Sequence, residues 1–501
     1  MQQIKQAAGV GKPSWRKTAC GVCVLCAAAA VASPAQTFTT LHSFDGTDGA
    51  LPSAGLIQAT NGKLYGTALE GGAKQKGTVF TITASGALTV LHSFCSQGFC
   101  TDGEYPQAAL VQATSGEFYG TAYSDQSHGV GTVFKITLSG TLTTIYKFCS
   151  QSDCADGENP RGGLVQGADG DFYGTTEYGG ANGSFGTVFK ITPTGALTTL
   201  YSFCSQSNCT DGVEPYAGLI QATDGNFYGT TVGGGANGSN TGTVFKITPS
   251  GALTTLYSFC SQSVGQDCTD GAYPYAALVQ AIDGNFYGTT FQGGANTACS
   301  AQGCGTVFKI TPSGTLTTLY SFCSQSGCTD GGNAYAGLIQ ATDGNFYGTT
   351  VGGGANSYGT VFKITRSGAL TTLYSFCSHS GCPDGDGPLA ALAQATNGNF
   401  YGTAAHGGAH GDGTIFSLSV GLGPFVETQP TSTKVGAGVR VLGTNLTGVT
   451  SVTFNGTPAL FKVVSSSFIS TTVPVGATTG NVQVVTPGGT LTSNVPFRVL
   501  P

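Results

Sequence analysis

The stretch Ala217-Gly-Leu-Ile-Gln-Ala-Thr-Asp-Gly-Asn-Phe-Tyr-Gly-Thr-Thr231 decides the fold, with Gly242-Thr-Val-Phe-Lys-Ile-Thr-Pro-Ser-Gly251 and Ala252-Leu-Thr-Thr-Leu-Tyr-Ser-Phe259 after a glycine-rich loop. Asp224-Gly225 and Pro249-Ser250-Gly251 are turn signals, and the runs they separate are rich in β-branched and aromatic residues. The pattern predicts strands over 218–223, 226–231, 242–248 and 252–259. The unit recurs. Gly-Thr-Val-Phe, with one Ile variant, begins at Gly77, Gly131, Gly186, Gly242, Gly305, Gly359 and Gly413, and Tyr-Gly-Thr recurs from Tyr65 to Tyr401. A repeat of this length holding four antiparallel strands predicts one blade of a β-propeller.

Seven such units are present, but the last ends at 419 without a fourth strand, while a fourth-strand string at 38–44 precedes the first. The N-terminal string is therefore expected to complete the seventh blade and leave no open edge. In 197–203, Leu197, Tyr201 and Phe203 fall on one face and Leu200 on the other, as expected for a sheet covered on both faces. Gly174 and Gly229 are expected where neighbouring backbones approach closely.

Composition agrees with an all-β chain. Glycine makes up 80 of 501 residues without a three-residue period, which excludes collagen. Abundant Phe, Tyr and β-branched residues exclude disorder. Residues 1–35 read as a secretory signal peptide: Lys5, Lys12, Arg16 and Lys17 precede an apolar stretch at 20–32, and Ser33-Pro34-Ala35 offers a cleavage site. No later segment is apolar enough to span a membrane. Without this segment the net charge is −10, an acidic balance that argues against nucleic acid and against anionic membrane surfaces.

The units, exemplified by 217–231 and 242–251, resemble the bacterial tandem repeats called GloVer, found in exported "choice-of-anchor" proteins; the resemblance covers about 38–419. It implies export and an anchoring or sorting device, and supplies no catalytic residues. From Pro430 onward the sequence is rich in Val and Thr and lacks Cys. Its segments 439–446, 449–456 and 473–480 resemble an IPT/TIG domain, an immunoglobulin-like sandwich. The expected architecture is a propeller over 36–419, a linker over 420–429 and an IPT/TIG domain over 430–501.

Fourteen cysteines follow residue 35, in seven local couples: Cys95/Cys100, Cys149/Cys154, Cys204/Cys209, Cys260/Cys268, Cys299/Cys304, Cys323/Cys328 and Cys377/Cys382. No Cys-x2-Cys knuckle with His partners is present, so disulfides are expected rather than zinc, as in an exported protein.

The loops from each fourth strand to the next first strand carry Asp102, Asp156, Asp211, Asp270, Asp330 and Asp384. These are Asp-Gly turns that could also offer hard oxygens to Ca²⁺, and no other cofactor is expected. Glu104, Glu158 and Glu214, with Arg161, mark the loops entering blades two to four, and Tyr105, Tyr216, Tyr275 and Tyr335 could stack on sugar rings there. These residues are the expected ligand site. His406, His410 and Asp412 fall in a glycine-rich loop and are expected to be a polar loop variant, not a helical metal site. No nucleophile motif is visible. The expectation is a secreted or cell-surface, non-catalytic protein that binds a polysaccharide or a protein; a glycan hydrolase or lyase using those glutamates is the alternative.

Overall fold

The computed structural model describes residues 36–124, 129–238, 241–264, 267–300 and 302–500, so the expected signal peptide lies outside the described residues. Among them there is no α-helix, only strands and short 3-10 turns.

Seven four-stranded antiparallel sheets make up a propeller-like body. In sheet four the strands are Ile220–Gln221, Phe227–Thr231, Thr243–Ile247 and Leu253–Ser258. All four lie inside the expected segments, and the first is only two residues long. Sheet seven takes its outer strand from the other end of the chain. Thr37–Ser43 pairs antiparallel with Thr414–Ser419, from Thr37↔Ser419 to Ser43↔Thr414.

Sheets pack face to face through seven separate apolar clusters. Tyr65, Val79 and Phe94 of sheet one meet Leu110, Phe118 and Phe134 of sheet two, and equivalent clusters follow around the body. The last joins Tyr401 and Ile415 of sheet seven to Leu64 and Phe80 of sheet one. The Tyr-Gly-Thr tyrosines of sheets one to six pack on the next sheet's phenylalanine, as Tyr173 does on Phe227 with centroids 3.9 Å apart. Sheet one offers Leu64 to Tyr401 instead.

Two hydrogen-bond circuits run around the inner strands. The side-chain carbonyl of each first-strand glutamine accepts from a backbone N–H of the preceding sheet: Thr60 N to Gln112, Thr114 to Gln166, Ala168 to Gln221, Thr223 to Gln280, Ile282 to Gln340 and Thr342 to Gln394. Thr396 N to Gln58, at 2.8 Å, completes the circuit. The threonine of Tyr-Gly-Thr likewise donates to a carbonyl of the next sheet, from Thr67 to Ala108 through to Thr403 to Ala54.

Two local expectations are corrected. A β-bulge skips Leu200 in the pairing of Thr187–Ile191 with Leu197–Ser202, so Leu200 joins Tyr201 and Phe203 in the cluster between sheets three and four, and Leu197 packs between sheets two and three. At Gly229 the nearest neighbours are side chains, not backbone. A Cβ would lie 2.6 Å from the Phe245 ring and 2.8 Å from Leu219, both of the same sheet, so glycine leaves room for side chains beside it.

A second unit follows. One sheet holds Glu427–Gln429, Gly438–Leu442, Phe468–Thr472 and Phe461–Ser465; the other holds Thr457–Pro458, Ser451–Phe454, Val482–Thr486 and Gly489–Thr492. Val426, Val441, Phe454, Ile469 and Val484 share its core. The expected linker 420–429 is therefore shorter than anticipated. Val420 and Leu422 pack on the core of sheets six and seven, while Val426 and the strand Glu427–Gln429 belong to the second unit. This unit contacts the propeller-like body on the face of the first hairpin turns. Ser467 Oγ donates to Thr60 O at 2.9 Å, and Arg440 Nη2 to Ala113 O at 2.6 Å.

Candidate functional site

The opposite face carries the loops that precede each first strand. All seven expected couples are disulfide-bonded: Cys95–Cys100, Cys149–Cys154, Cys204–Cys209, Cys260–Cys268, Cys299–Cys304, Cys323–Cys328 and Cys377–Cys382.

The six loop aspartates do not form a ring of calcium ligands. Each buried or nearly buried carboxylate is engaged within its own blade through Oδ2, while Oδ1 of Asp270 and of Asp384 is buried without a hydrogen-bond partner among the described residues. Asp156 Oδ2 accepts from the Tyr146 hydroxyl at 2.7 Å and from the backbone N and Oγ of Ser150, and Oδ1 accepts from Gln151 N. Asp211, Asp270, Asp330 and Asp384 repeat the tyrosine and serine bonds, and at Asp102 His92 replaces the tyrosine. Among the described residues no group of metal-ligating side chains contains any of them. The first loop, which has no cysteines, does the same with Asp48 and His42, 2.7 Å apart. His406 and His410 are both exposed in a loop closed by a Gly407↔Asp412 bridge, so they share no helical face.

The glutamates and tyrosines separate by position. Glu104 and Glu158 form bridges to Ser124 and Tyr178, at the place where other sheets use Ala50, Val213, Ala272, Gly332 and Asp386. Glu104 is ion-paired to Lys76 at 3.0 Å, and Glu158 accepts from Ser184 Oγ at 2.9 Å. Glu214 is not their equivalent. It lies one residue later, at the left-handed position also held by Leu51, Tyr105, Asn159, Tyr273 and Asn333. Tyr105 receives a 2.6 Å hydrogen bond from Lys76 Nζ. The expected grouping of all these residues in one site is thus corrected: Glu104, Glu158 and Tyr105 are engaged locally, away from the axis.

Two residues beyond the left-handed position, Ser53, Gln107, Arg161, Tyr216, Tyr275, Tyr335 and Leu389 surround an axial depression of about 150 Å³. Below them lie pairs of small residues such as Ala108-Ala109 and Ala217-Gly218. One side of this mouth is polar and aromatic. The Arg161 guanidinium lies over the rings of Tyr123 and Tyr216, 4.5 and 4.6 Å from their centroids. It is ion-paired to Glu177 and donates to Gln107 Oε1 at 3.1 Å and to the Tyr216 hydroxyl at 2.5 Å. The Tyr335 hydroxyl donates to that of Tyr216, and Tyr275 stacks on Tyr335 with centroids 4.9 Å apart. Tyr273 and Phe291 continue the aromatic wall.

Burial works against the Arg161 charge, but Tyr216 and Glu177 outweigh it and hold the guanidinium more firmly protonated than usual. Burial pushes the Tyr335 and Tyr275 hydroxyls up. Burial, and then the neighbouring Glu177 charge, raises the Glu214 carboxyl. Sequence reasoning missed Glu177 and Gln107. Glu177 was detectable as the charged residue at a repeat position where other units have Leu69, Tyr123, Val232, Phe291, Val351 and Ala405.

A model of the Gloeobacter/Verrucomicrobia repeat family matches residues 30–210, 150–328, 205–416 and 297–457. A search of curated proteins by sequence finds no match. Among solved structures, the extracellular domain of a protein assigned as a hybrid two-component system of B. thetaiotaomicron aligns at 10% identity and TM-score 0.49, over 91% of this chain and 58% of that one. The chain thus spans little more than half the length of that structure. A fungal alcohol oxidase in complex with copper aligns at 12% identity and TM-score 0.47, over 93% of this chain and 99% of that one.

Proposed function

Starting from a chain that belongs to the Gloeobacter/Verrucomicrobia repeat family, we propose an exported, non-catalytic binding protein: a seven-bladed β-propeller with an immunoglobulin-like C-terminal module. It holds a polysaccharide or a protein segment at its axial mouth. The closed glutamine circuit supports the blade count, and seven disulfides suit an oxidising compartment.

The observation that carries the ligand reading is the one-sided grouping of Arg161, Glu177, Tyr216, Tyr275 and Tyr335 around the axis of a chain with only 9% charged residues. Stacked tyrosines give an apolar face to a sugar ring or side chain, and the anchored guanidinium gives fixed donors at its edge. A glycan array probed with wild-type protein and with Tyr275→Ala is the test. Binding should be seen for the wild type and fall at least tenfold in the variant. Wild-type binding that Tyr275→Ala leaves unchanged would place the ligand elsewhere.

One observation favours a hydrolase or lyase instead. Burial, and then the neighbouring Glu177 charge, raises the Glu214 carboxyl, and a raised carboxyl is what a general acid needs. Release of reducing ends or unsaturated sugars by the wild type, abolished in Glu214→Gln, would establish that reading.

A further inference from the structure

A larger cavity, about 320 Å³, lies on the other face, between sheets one and seven and the second unit. That volume is in the range of small-molecule sites, which favour domain interfaces. Asn61, Lys63 and Asn397 contribute from the hairpin turns of the propeller-like body, and Asn445 and Ser466 from loops of the second unit. Among the described residues no carboxylate lines it, and Lys63 is its one cationic side chain.

The repeat shows how this wall departs from its siblings. In sheets three to six the hairpin aspartates Asp169, Asp224, Asp283 and Asp343 each accept from a tyrosine hydroxyl and pair with a lysine of the third strand. Sheet two keeps a related pair, Glu117 with Lys135 at 3.6 Å. In sheets one and seven the aspartate is Asn61 or Asn397, and the third-strand lysine is Thr81 or Ser417. Only the two sheets that border the cavity have lost both charges. Packing against the second unit accounts for removing a carboxylate. It does not account for Lys63, which stands where the other sheets have Glu117, Asp171 or asparagine. Lys63 is exposed and has no carboxylate partner among the described residues.

We infer that this cleft is a second ligand site, for a polyhydroxylated anion: the uronate units of an acidic polysaccharide. Lys63 meets the carboxylate, and the amides of Asn397 and Asn445 with the Ser466 hydroxyl meet ring hydroxyls. The absence of lining carboxylates leaves nothing to repel the ligand.

The test uses the full chain and trigalacturonate, with its methyl ester as the uncharged control, followed by titration calorimetry at low and high salt. Trigalacturonate should bind, weaken with salt, and lose at least tenfold in affinity in Lys63→Asn, which installs the residue that four sibling sheets already carry and so spares the fold. The methyl ester should bind wild type at least tenfold more weakly. Lys74→Asn, an exposed lysine on the opposite face, controls for net charge and should change affinity less than twofold. No wild-type binding, or equal binding by Lys63→Asn, overturns the proposal. Loss of trigalacturonate binding in Tyr275→Ala but not in Lys63→Asn also overturns it, while leaving the axial mouth as the site.

Discussion

Asp224 shows how much one residue does in a repeat. Its backbone position needs only a turn former before Gly225, whose φ is +82°. Its carboxylate also accepts from Tyr228 and pairs with Lys246 at 2.9 Å. Burial opposes the charge, but Lys246, Asn226 and Tyr228 overcome it and bring the carboxyl down to about 2. Asp169, Asp283 and Asp343 are lowered in the same direction. A carboxyl depressed below an unfolded value of about 3.9 adds stability above that pH and loses it as pH falls towards the folded value. The thermal midpoint should therefore drop progressively from about pH 4 to pH 2. In Asp224→Asn the midpoint should start lower at pH 6 and fall less steeply, as scanning calorimetry across that range would show.

At the scale of one loop, disulfide and aspartate divide the work unequally. Cys204–Cys209 closes so short a loop that the chain-entropy model allows roughly 2 kcal/mol. Asp211 ties the same loop to Tyr201, Ser205 and Gln206 by hydrogen bonds to a buried charge, each worth more than a neutral one. The first loop keeps the Asp48 arrangement with no disulfide at all. Asp211→Asn should accordingly cost more stability in urea denaturation than Cys204→Ser with Cys209→Ser. The double serine variant should remain folded with about 2 kcal/mol lost. A larger loss from the serine pair would assign the loop to its disulfide.

The propeller-like body is closed through sheet seven. Thr37–Ser43 is the outer strand of sheet seven, and Phe38 stacks on Tyr374 of sheet six with centroids 3.7 Å apart. Deleting 36–43 exposes the edge of Thr414–Ser419 and uncovers the cluster shared by sheets six and seven. The truncated chain should aggregate or melt well below the full chain in size-exclusion and thermal measurements. A monomeric truncation with an unchanged midpoint would show that the strand is dispensable.

The sequence by itself determined the repeat, its four strands and its cysteine couples, because strand alternation, Asp-Gly turns and local spacing are written within each unit of about 55 residues. It also showed where units differ, which is how Glu104, Glu158, Glu214 and Arg161 stand out along the chain. Only the tertiary structure decided which differences meet. Glu104 and Glu214 look alike along the chain, but one residue of offset sends Glu104 to Lys76 and leaves Glu214 at a left-handed position where burial and the Glu177 charge raise its carboxyl. Glu177 reaches Arg161 across 16 residues from a different loop, and Gln107 from 54 residues away. The cleft beside Lys63 was equally illegible, since it exists only where the second unit sits against sheets one and seven. Local pattern reports backbone periodicity; a site is made of side chains brought together by closure and docking, and the separation between them along the chain holds no record of that.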